Sequence, residues 1–240
     1  MKNTVLITGT NRGIGLEFAK QYAEAGWDVM ACSRHPEANA LQDLKRKHSN
    51  VSVWELDVCN EEQIKNLANN LQEKPIDLLI NSAGIYGHQE SDEETHQPLM
   101  TVTPEAMLKV YKVNCVAPVM VTRSLLNNIG RSELKTIVTI SSRAGSIGDN
   151  TSGDTYAYRP SKAAVNMVMK SLAVDLKPQN IKVLLLSPGW VKTDMGGPDA
   201  LIDAQTSVKR MRQIIDDRIQ NPTIETGDIF YHYNGEKLPW

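Results

Sequence analysis

The sequence predicts an α/β fold in one domain: a doubly wound, seven-stranded parallel sheet with helices on both faces. Three observations predict it. Short apolar runs alternate with amphipathic segments along all 240 residues. Polar and glycine residues gather where the apolar runs stop. The first run, Val5-Leu6-Ile7, breaks at Thr8-Gly9-Thr10-Asn11-Arg12-Gly13-Ile14-Gly15, a three-glycine loop that opens a helix.

The elements follow in order. Leu16 to Ala25 is amphipathic and reads as the first helix. Asp28-Val29-Met30-Ala31-Cys32-Ser33 is a second strand, ending at Arg34-His35-Pro36. Glu37 to Lys47 has helical spacing. Val51 to Leu56 alternates like a strand and ends at Asp57-Val58. Asn60 is a plausible N-cap for a helix through Leu71. Pro75 introduces Ile76 to Ile80, a strand that breaks at Asn81-Ser82-Ala83-Gly84. Glu90 to Gln97 is polar and acidic and reads as a solvated loop.

Thr103-Pro104-Glu105 is a cap with proline at the first helical position, predicting a helix to about Asn127. Thr136 to Ile140 is a fifth strand ending at Ser141-Ser142. A glycine-containing loop reaches Asp154, then a long helix runs to about Leu176. Pro160 fits only a first turn, which puts that helix's start between Tyr156 and Arg159. Ile181 to Leu186 is a sixth strand, ending at Ser187-Pro188-Gly189. An irregular stretch with Gly196, Gly197 and Pro198 leads to a helix from about Leu201 to Ile219. Asp228 to Tyr233 is a last strand ahead of Trp240. One crevice outside the strand ends collects Gly9, Ser33-Arg34, Asp57, Asn81, Ser142 and Pro188-Gly189.

Composition narrows the function classes. The net charge of −2 gives no basic footprint for nucleic acid or an anionic membrane. No apolar run has the length to cross a bilayer. Met1 to Thr4 is too short for a signal peptide ahead of the first strand. Cys32, Cys59 and Cys115 are far apart and odd in number, as in a reducing compartment, so a cytoplasmic protein is expected. His35, His48, His88, His96 and His232 have no metal spacing, and no metal is expected.

The chemistry concentrates at Tyr158-Arg159-Pro160-Ser161-Lys162. Tyr158 and Lys162 are four residues apart and share a helix face. A tyrosine ionises near pH 10, too high for easy proton exchange at neutral pH. A neighbouring ammonium favours the phenolate and lowers that value. Taken alone, the pair reads as a half-buried tyrosine beside a surface lysine. Three features argue otherwise. Ser142 ends the preceding strand with a hydroxyl that can hydrogen-bond a carbonyl oxygen, with Ser141 as its fallback. The chain opens on a loop suited to a pyrophosphate, at a helix N-terminus. Asn114, a weak helix former, sits inside the long helix.

The set Thr8-Gly9-x-x-x-Gly13-Ile14-Gly15, Asp57, Asn81-Ser82-Ala83-Gly84, Asn114, Ser142, Tyr158-x-x-x-Lys162 and Pro188-Gly189 with Val191 and Thr193 resembles the short-chain dehydrogenase/reductase family over essentially the whole chain. The opening Thr-Asn-Arg-Gly-Ile-Gly, with Tyr233-Asn234-Gly235 and Leu238-Pro239-Trp240, is similar to the subgroup of C-factor and the small carbonyl reductases. The resemblance implies a Rossmann-type domain and a nicotinamide cofactor that supplies the hydride. It implies catalytic roles for four residues. Tyr158 is general acid or base, Lys162 lowers its pKa and holds the nicotinamide ribose, Ser142 polarises the substrate oxygen, and Asn114 positions a water. It implies cofactor binding by Gly9, Asn11, Arg12, Gly13, Ile14, Gly15, Ser33, Arg34, Asp57, Val58, Asn81, Ala83, Gly84, Tyr158, Lys162, Pro188, Gly189, Val191 and Thr193. Two departures stand out: Ser82 replaces a second asparagine, which loosens support around the cofactor, and the loop from Ser142 to Tyr158 is longer than usual.

The second strand ends without a carboxylate, with Ser33-Arg34 in its place and Arg12 in the glycine loop. That combination suits a 2′-phosphate, so NADP(H) is the preferred coenzyme and NAD(H) the alternative. The expected reaction is reduction of an aldehyde or ketone to an alcohol, or the reverse, on a small molecule. The competing reading is a C-factor-like signalling or regulatory protein with little turnover. The resemblance also implies a homo-oligomer, a dimer or tetramer paired through long helices. Residues 195–219 are expected to form a substrate lid hinged at Gly196-Gly197-Pro198, with Met195, Leu201, Ile202 and Met211 facing a cavity. Tyr86, His88, Arg143 and Trp190 are candidate walls, and Tyr156 is wall or packing.

Overall fold

The computed structural model describes residues 2–87, 99–221 and 229–240. Seven strands form one parallel sheet: β1 (Thr4–Thr8), β2 (Asp28–Ser33), β3 (Val51–Glu55), β4 (Leu78–Asn81), β5 (Thr136–Ile140), β6 (Lys182–Ser187) and, at the edge, β9 (Phe230–His232). Their order across the sheet is β3-β2-β1-β4-β5-β6-β9. The chain builds outward from β1 to β3, then crosses back to place β4 on the other side of β1. That reversal opens a crevice at the carboxyl ends of β1 and β4.

The register aligns these ends. Thr8 lies opposite Cys32, Ser33 opposite Glu55, Asn81 opposite Thr139, and Ile140 opposite Leu186. Every residue of β1, β4 and β5 is buried, as expected of central strands covered on both faces. One face packs Leu6, Leu79, Ile137 and Leu185 against α3 (Glu61–Leu71), α5 (Ala117–Gly130) and α6 (Tyr158–Leu176). The other packs Ile7, Ile80, Val138 and Leu184 against α1 (Gly13–Glu24), α2 (Asn39–Lys47) and α7 (Ala204–Gln220).

Local chemistry explains the element ends. The Asn60 carboxamide oxygen accepts from the Glu62 and Gln63 amides, capping α3 as expected. Thr103 caps α4 (Pro104–Tyr111) through the Ala106 amide. α6 begins at Tyr158, which leaves Pro160 in the first turn.

Four sequence expectations change. The long helix is not uniform: a π turn, Lys112–Val116, separates α4 from α5 and carries Asn114. The irregular stretch after β6 contains two short strands, β7 (Val191–Lys192) and β8 (Ile202–Asp203), which pair with each other in parallel. α7 therefore starts at Ala204, with the Asp203 carboxylate accepting from the Thr206 amide. Met211 faces no cavity. It is fully buried in the core with Val208 and Ile215, because α7 packs its apolar face on α1 and the sheet. The acidic stretch Glu90 to Gln97, His88, His96 and the first residue of the expected last strand, Asp228, lie outside the described residues.

Candidate active site

The glycine loop is shaped to bring backbone close to backbone. Gly9 has a left-handed φ of +75°, and a Cβ there would come within 2.8 Å of the Ala83 Cα. At Gly15 a Cβ would meet the Gly9 carbonyl oxygen at 2.2 Å, so α1 sits against the turn only because residue 15 has no side chain. α1 starts with no side-chain cap, although Asn60 and Asp203 show that the chain uses caps elsewhere. Its first-turn amides and positive dipole end face the crevice mouth, as an anion requires. Thr8 ties the two sides together: its hydroxyl oxygen accepts from the Ser82 amide at 3.1 Å and the Ala83 amide at 3.2 Å.

Ser33, Arg34, Asp57 and Val58 flank the crevice on the β2–β3 side. Ser33 is buried and its hydroxyl accepts from the His35 amide at 2.9 Å, which leaves Arg34 exposed beyond it. The Asp57 carboxylate accepts from the Cys59 amide at 2.8 Å. Asn81 is buried under the crevice, its amide nitrogen 3.3 and 3.4 Å from the Thr122 and Thr139 hydroxyls. On the β6 side the Pro188 carbonyl accepts from the Ser207 hydroxyl at 2.7 Å. Gly189, at φ +84°, lies against the Tyr233 ring. Val191 is buried, and the Thr193 methyl lies beside Gly13. Ile14 packs on the core and Asn11 is half-buried. Arg12 makes a 2.9 Å ion pair with Asp194 just after β7.

The reactive groups meet in the middle of the crevice. Ser142 lies close enough to the Tyr158 hydroxyl to favour its charged form, and its own oxygen accepts from the Ala144 amide at 3.1 Å. Ser141 does not compete for this role: its hydroxyl donates to the Asn166 oxygen at 2.5 Å, on the buried side. The Asn166 nitrogen in turn donates to the Gly145 carbonyl at 3.3 Å, so one α6 side chain holds both ends of the serine turn. Lys162 is only 5 % exposed, and its Nζ donates to the Ile140 carbonyl at 2.8 Å, 5.5 Å from the Tyr158 ring centre. Asn114 is used completely. Its oxygen accepts from the Ile85 amide at 2.9 Å, and its nitrogen donates to the Ile85 carbonyl at 2.8 Å and the Ser161 hydroxyl at 3.0 Å.

Burial governs the titration. It pushes Tyr158 up to about 12, with Ser142 pulling the other way. It brings Lys162 down to about 8. Desolvation penalises both charged forms and dominates here, so Tyr158 stands above its ordinary value despite the lysine 5.5 Å from its ring.

Among the expected walls, Tyr86 stacks on Tyr158 at 4.5 Å. Trp190 donates from its ring nitrogen to the Gly196 carbonyl at 2.7 Å, holding the turn after β7. Arg143 is directed instead to Glu236 at 2.7 Å and Asp149 at 3.6 Å. Tyr156 is exposed. Thr8, quoted in the opening motif without a role, joins Ser161, Asn166 and Asp194 around the site, and these last three were not singled out from sequence. The only sequence signal for them was position, Ser161 inside a motif and Asn166 one turn beyond Lys162.

Comparisons with known proteins agree with this geometry. Residues 3–200 match the family model described as short chain dehydrogenase. The chain is 39% identical over 173 residues to C-signal of Myxococcus xanthus, covering 72% of this chain and 98% of that protein. Carbonyl reductase Sniffer of D. melanogaster superposes with a TM-score of 0.86 at 32% identity, over 100% of both chains. A short-chain dehydrogenase/reductase from Burkholderia multivorans with bound NADP superposes with a TM-score of 0.89 at 28% identity, again over 100% of both.

The buried lysine sets a stability prediction. Its pKa is about 8 in the fold against 10.5 ordinarily, so the unfolded chain binds the extra proton between these values. The cost of charging Lys162 inside the fold is full below pH 8 and fades as pH rises toward 10.5. Lys162→Met removes it, and should unfold at higher urea than the parent at pH 7 by about 1–2 kcal/mol after loss of the Ile140 hydrogen bond. The gap should narrow by pH 9.5. A variant less stable than the parent at pH 7 would show that the ammonium is not penalised.

Proposed function

This chain belongs to the short-chain dehydrogenase/reductase family and is an oxidoreductase, and we propose that it reduces the carbonyl group of a small aldehyde or ketone with NADP(H). The observation that carries the reading is the buried Lys162 ammonium, held by the Ile140 carbonyl at 2.8 Å and 5.5 Å from the Tyr158 ring, with Ser142 next to the tyrosine. The Ser142 hydroxyl holds a carbonyl oxygen against the Tyr158 hydroxyl. Tyr158 gives that oxygen its proton as the carbonyl carbon is reduced, and Lys162 offsets the charge left on the phenol oxygen. When bound, the reduced coenzyme supplies the hydride. A tyrosine held near 12 is fully protonated at neutral pH, and a lysine near 8 is still mostly charged. Both states suit reduction better than alcohol oxidation, which would need the phenolate. An intact set of Ser142, Tyr158, Lys162 and Asn114 also argues for turnover over a purely signalling role.

The residues present fit a nicotinamide dinucleotide. The uncapped start of α1 and the glycine cradle take the pyrophosphate. Ser33, Arg34, Asp57 and Val58 take the adenosine half. Gly84 lies beside the Lys162 Nζ, where a Cβ would come within 3.8 Å, and this supports seating the ribose and nicotinamide half there. No carboxylate ends β2, and the first one beyond it, Glu37, pairs with His35 at 3.5 Å. This supports NADP(H) over NAD(H). We also assign residues 195–219 as the lid, moving chiefly ahead of α7, whose buried face anchors its far end. A homodimer through α4, α5 and α6 accounts for exposed Leu108, Tyr111, Val116, Met167 and Val174.

Tyr158→Phe should keep NADPH binding and lose about 10²- to 10⁴-fold in kcat. In the parent, kcat for reduction should fall as pH rises through 8 and Lys162 discharges; turnover by the phenylalanine variant at the parent rate would end the assignment. Arg34→Ala and Arg12→Ala should each lower kcat/KM for NADPH far more than for NADH, whereas equal losses with both coenzymes would remove the phosphate role. Hydrogen exchange across 195–203 should slow on adding NADPH, in a sample that sediments at twice the monomer mass. Equal exchange, or a monomer, would refute the lid or the dimer respectively.

A further inference from the structure

The last residues fold back along β9 and finish on the loop that follows Ser142. Tyr231 bridges antiparallel to Lys237, and the Leu238 amide donates to the Phe230 carbonyl at 3.0 Å. The turn between them is closed by the His232 amide donating to the Glu236 carbonyl at 2.8 Å. Leu238 is buried in the core beside Phe230, and the Trp240 ring stacks on Phe230 at 5.8 Å. This return segment is therefore held by the sheet edge, independently of the loop it reaches.

Its contacts with that loop are specific. The Trp240 carbonyl oxygen accepts from the Gly148 amide at 2.9 Å and from the Ser146 hydroxyl at 3.2 Å. The Glu236 carboxylate meets the Arg143 guanidinium at 2.7 Å, and Arg143 also faces Asp149 at 3.6 Å. Arg143 directly follows Ser142 in the chain. The same loop ends at Tyr158 through Gly153, Asp154 and Thr155, whose φ values of +64°, +62° and +52° are all left-handed. Asp154 and Thr155 are unfavourable there, and such a conformation persists only where its surroundings over-determine it.

We infer that this return segment is a strap that positions Ser142 for the reaction, with Glu236 and Trp240 as positioning residues acting through Arg143 and residues 146–148. The inference rests on the reading of Ser142 and Tyr158 as the reacting pair. The contacts described for the strap lie with the sheet edge and the serine turn, so it should act on turnover and not on coenzyme affinity.

The test compares the parent with Trp240→Ala, Glu236→Gln and the conservative Trp240→Phe. Small misplacements of a reacting group cost up to about 10²-fold, so kcat for carbonyl reduction should fall about 5- to 30-fold in the first two. The calorimetric Kd for NADPH should stay within about twofold of the parent in both, and Trp240→Phe should recover most of the loss, since phenylalanine still stacks on Phe230. Hydrogen exchange without coenzyme should speed up at 143–148 and stay unchanged at 9–15. Unchanged kcat, or a joint fall in kcat and NADPH affinity, would overturn the strap. A parent inert toward every carbonyl offered with NADPH would count against the proposed function alone. Exchange at 143–148 would then decide the strap, faster exchange supporting it and unchanged exchange refuting it.

Discussion

An ammonium group held in a nearly dry interior is the constraint on which the rest of the site depends. Lys162 is 5 % exposed and its charge needs an acceptor. Ile140, the last residue of β5, supplies one: its carbonyl accepts from Nζ at 2.8 Å. The surroundings are shaped to admit the side chain. A Cβ at Gly145 would lie 2.7 Å from the Lys162 carbonyl carbon, so the serine turn can lie on α6 only with glycine at that position. An unpaired charge at this depth would cost several kcal/mol, which makes lysine, carbonyl and glycine one unit.

Two asparagines extend that unit into a frame. Asn114 joins the segment after β4 to α6 through Ile85 and Ser161. Asn166 joins α6 to the serine turn through Ser141 and Gly145. Both are buried, and both bind two elements that are far apart in the chain. The π turn is what allows the first. One added residue per turn shifts the helix face locally and directs Asn114 inward, and π turns concentrate at functional sites for this reason. Ser142 and Tyr158 meet because the elements carrying them share this frame, not because either loop is rigid by itself.

The sequence discloses what local periodicity and spacing decide. β2 and β5 are bounded as read, the Asn60 and Thr103 caps close helices as read, and Pro160 marks the start of α6. The Tyr158–Lys162 pair was legible because helix geometry forces residues four apart onto one face. What stayed hidden depends on contacts across long separations. The π turn is stabilised by partners 29 and 47 residues away. Met211 looked like a lid residue because a helical stripe does not announce what it packs against. The direction of Arg143 was set by Glu236, 93 residues on. The titration of Tyr158 turned on burial, which a pair of residue names does not contain.

Arg12 shows how weak and strong contacts divide the labour at the crevice mouth. Its pair with Asp194 joins two exposed side chains, 66 % and 70 % accessible, and such pairs contribute about 1 kcal/mol or less. A phosphate oxygen in the same reach forms a charge-assisted, two-pronged contact with a guanidinium that is roughly twice as strong as a neutral hydrogen bond. The glycine loop and the segment after β7 are therefore linked by an interaction that a bound anion can outcompete. The Lys162 contact is the opposite case, because its carbonyl partner is buried and no solvent ion reaches it. A site built this way keeps Lys162 fixed while leaving Arg12 free to change partners.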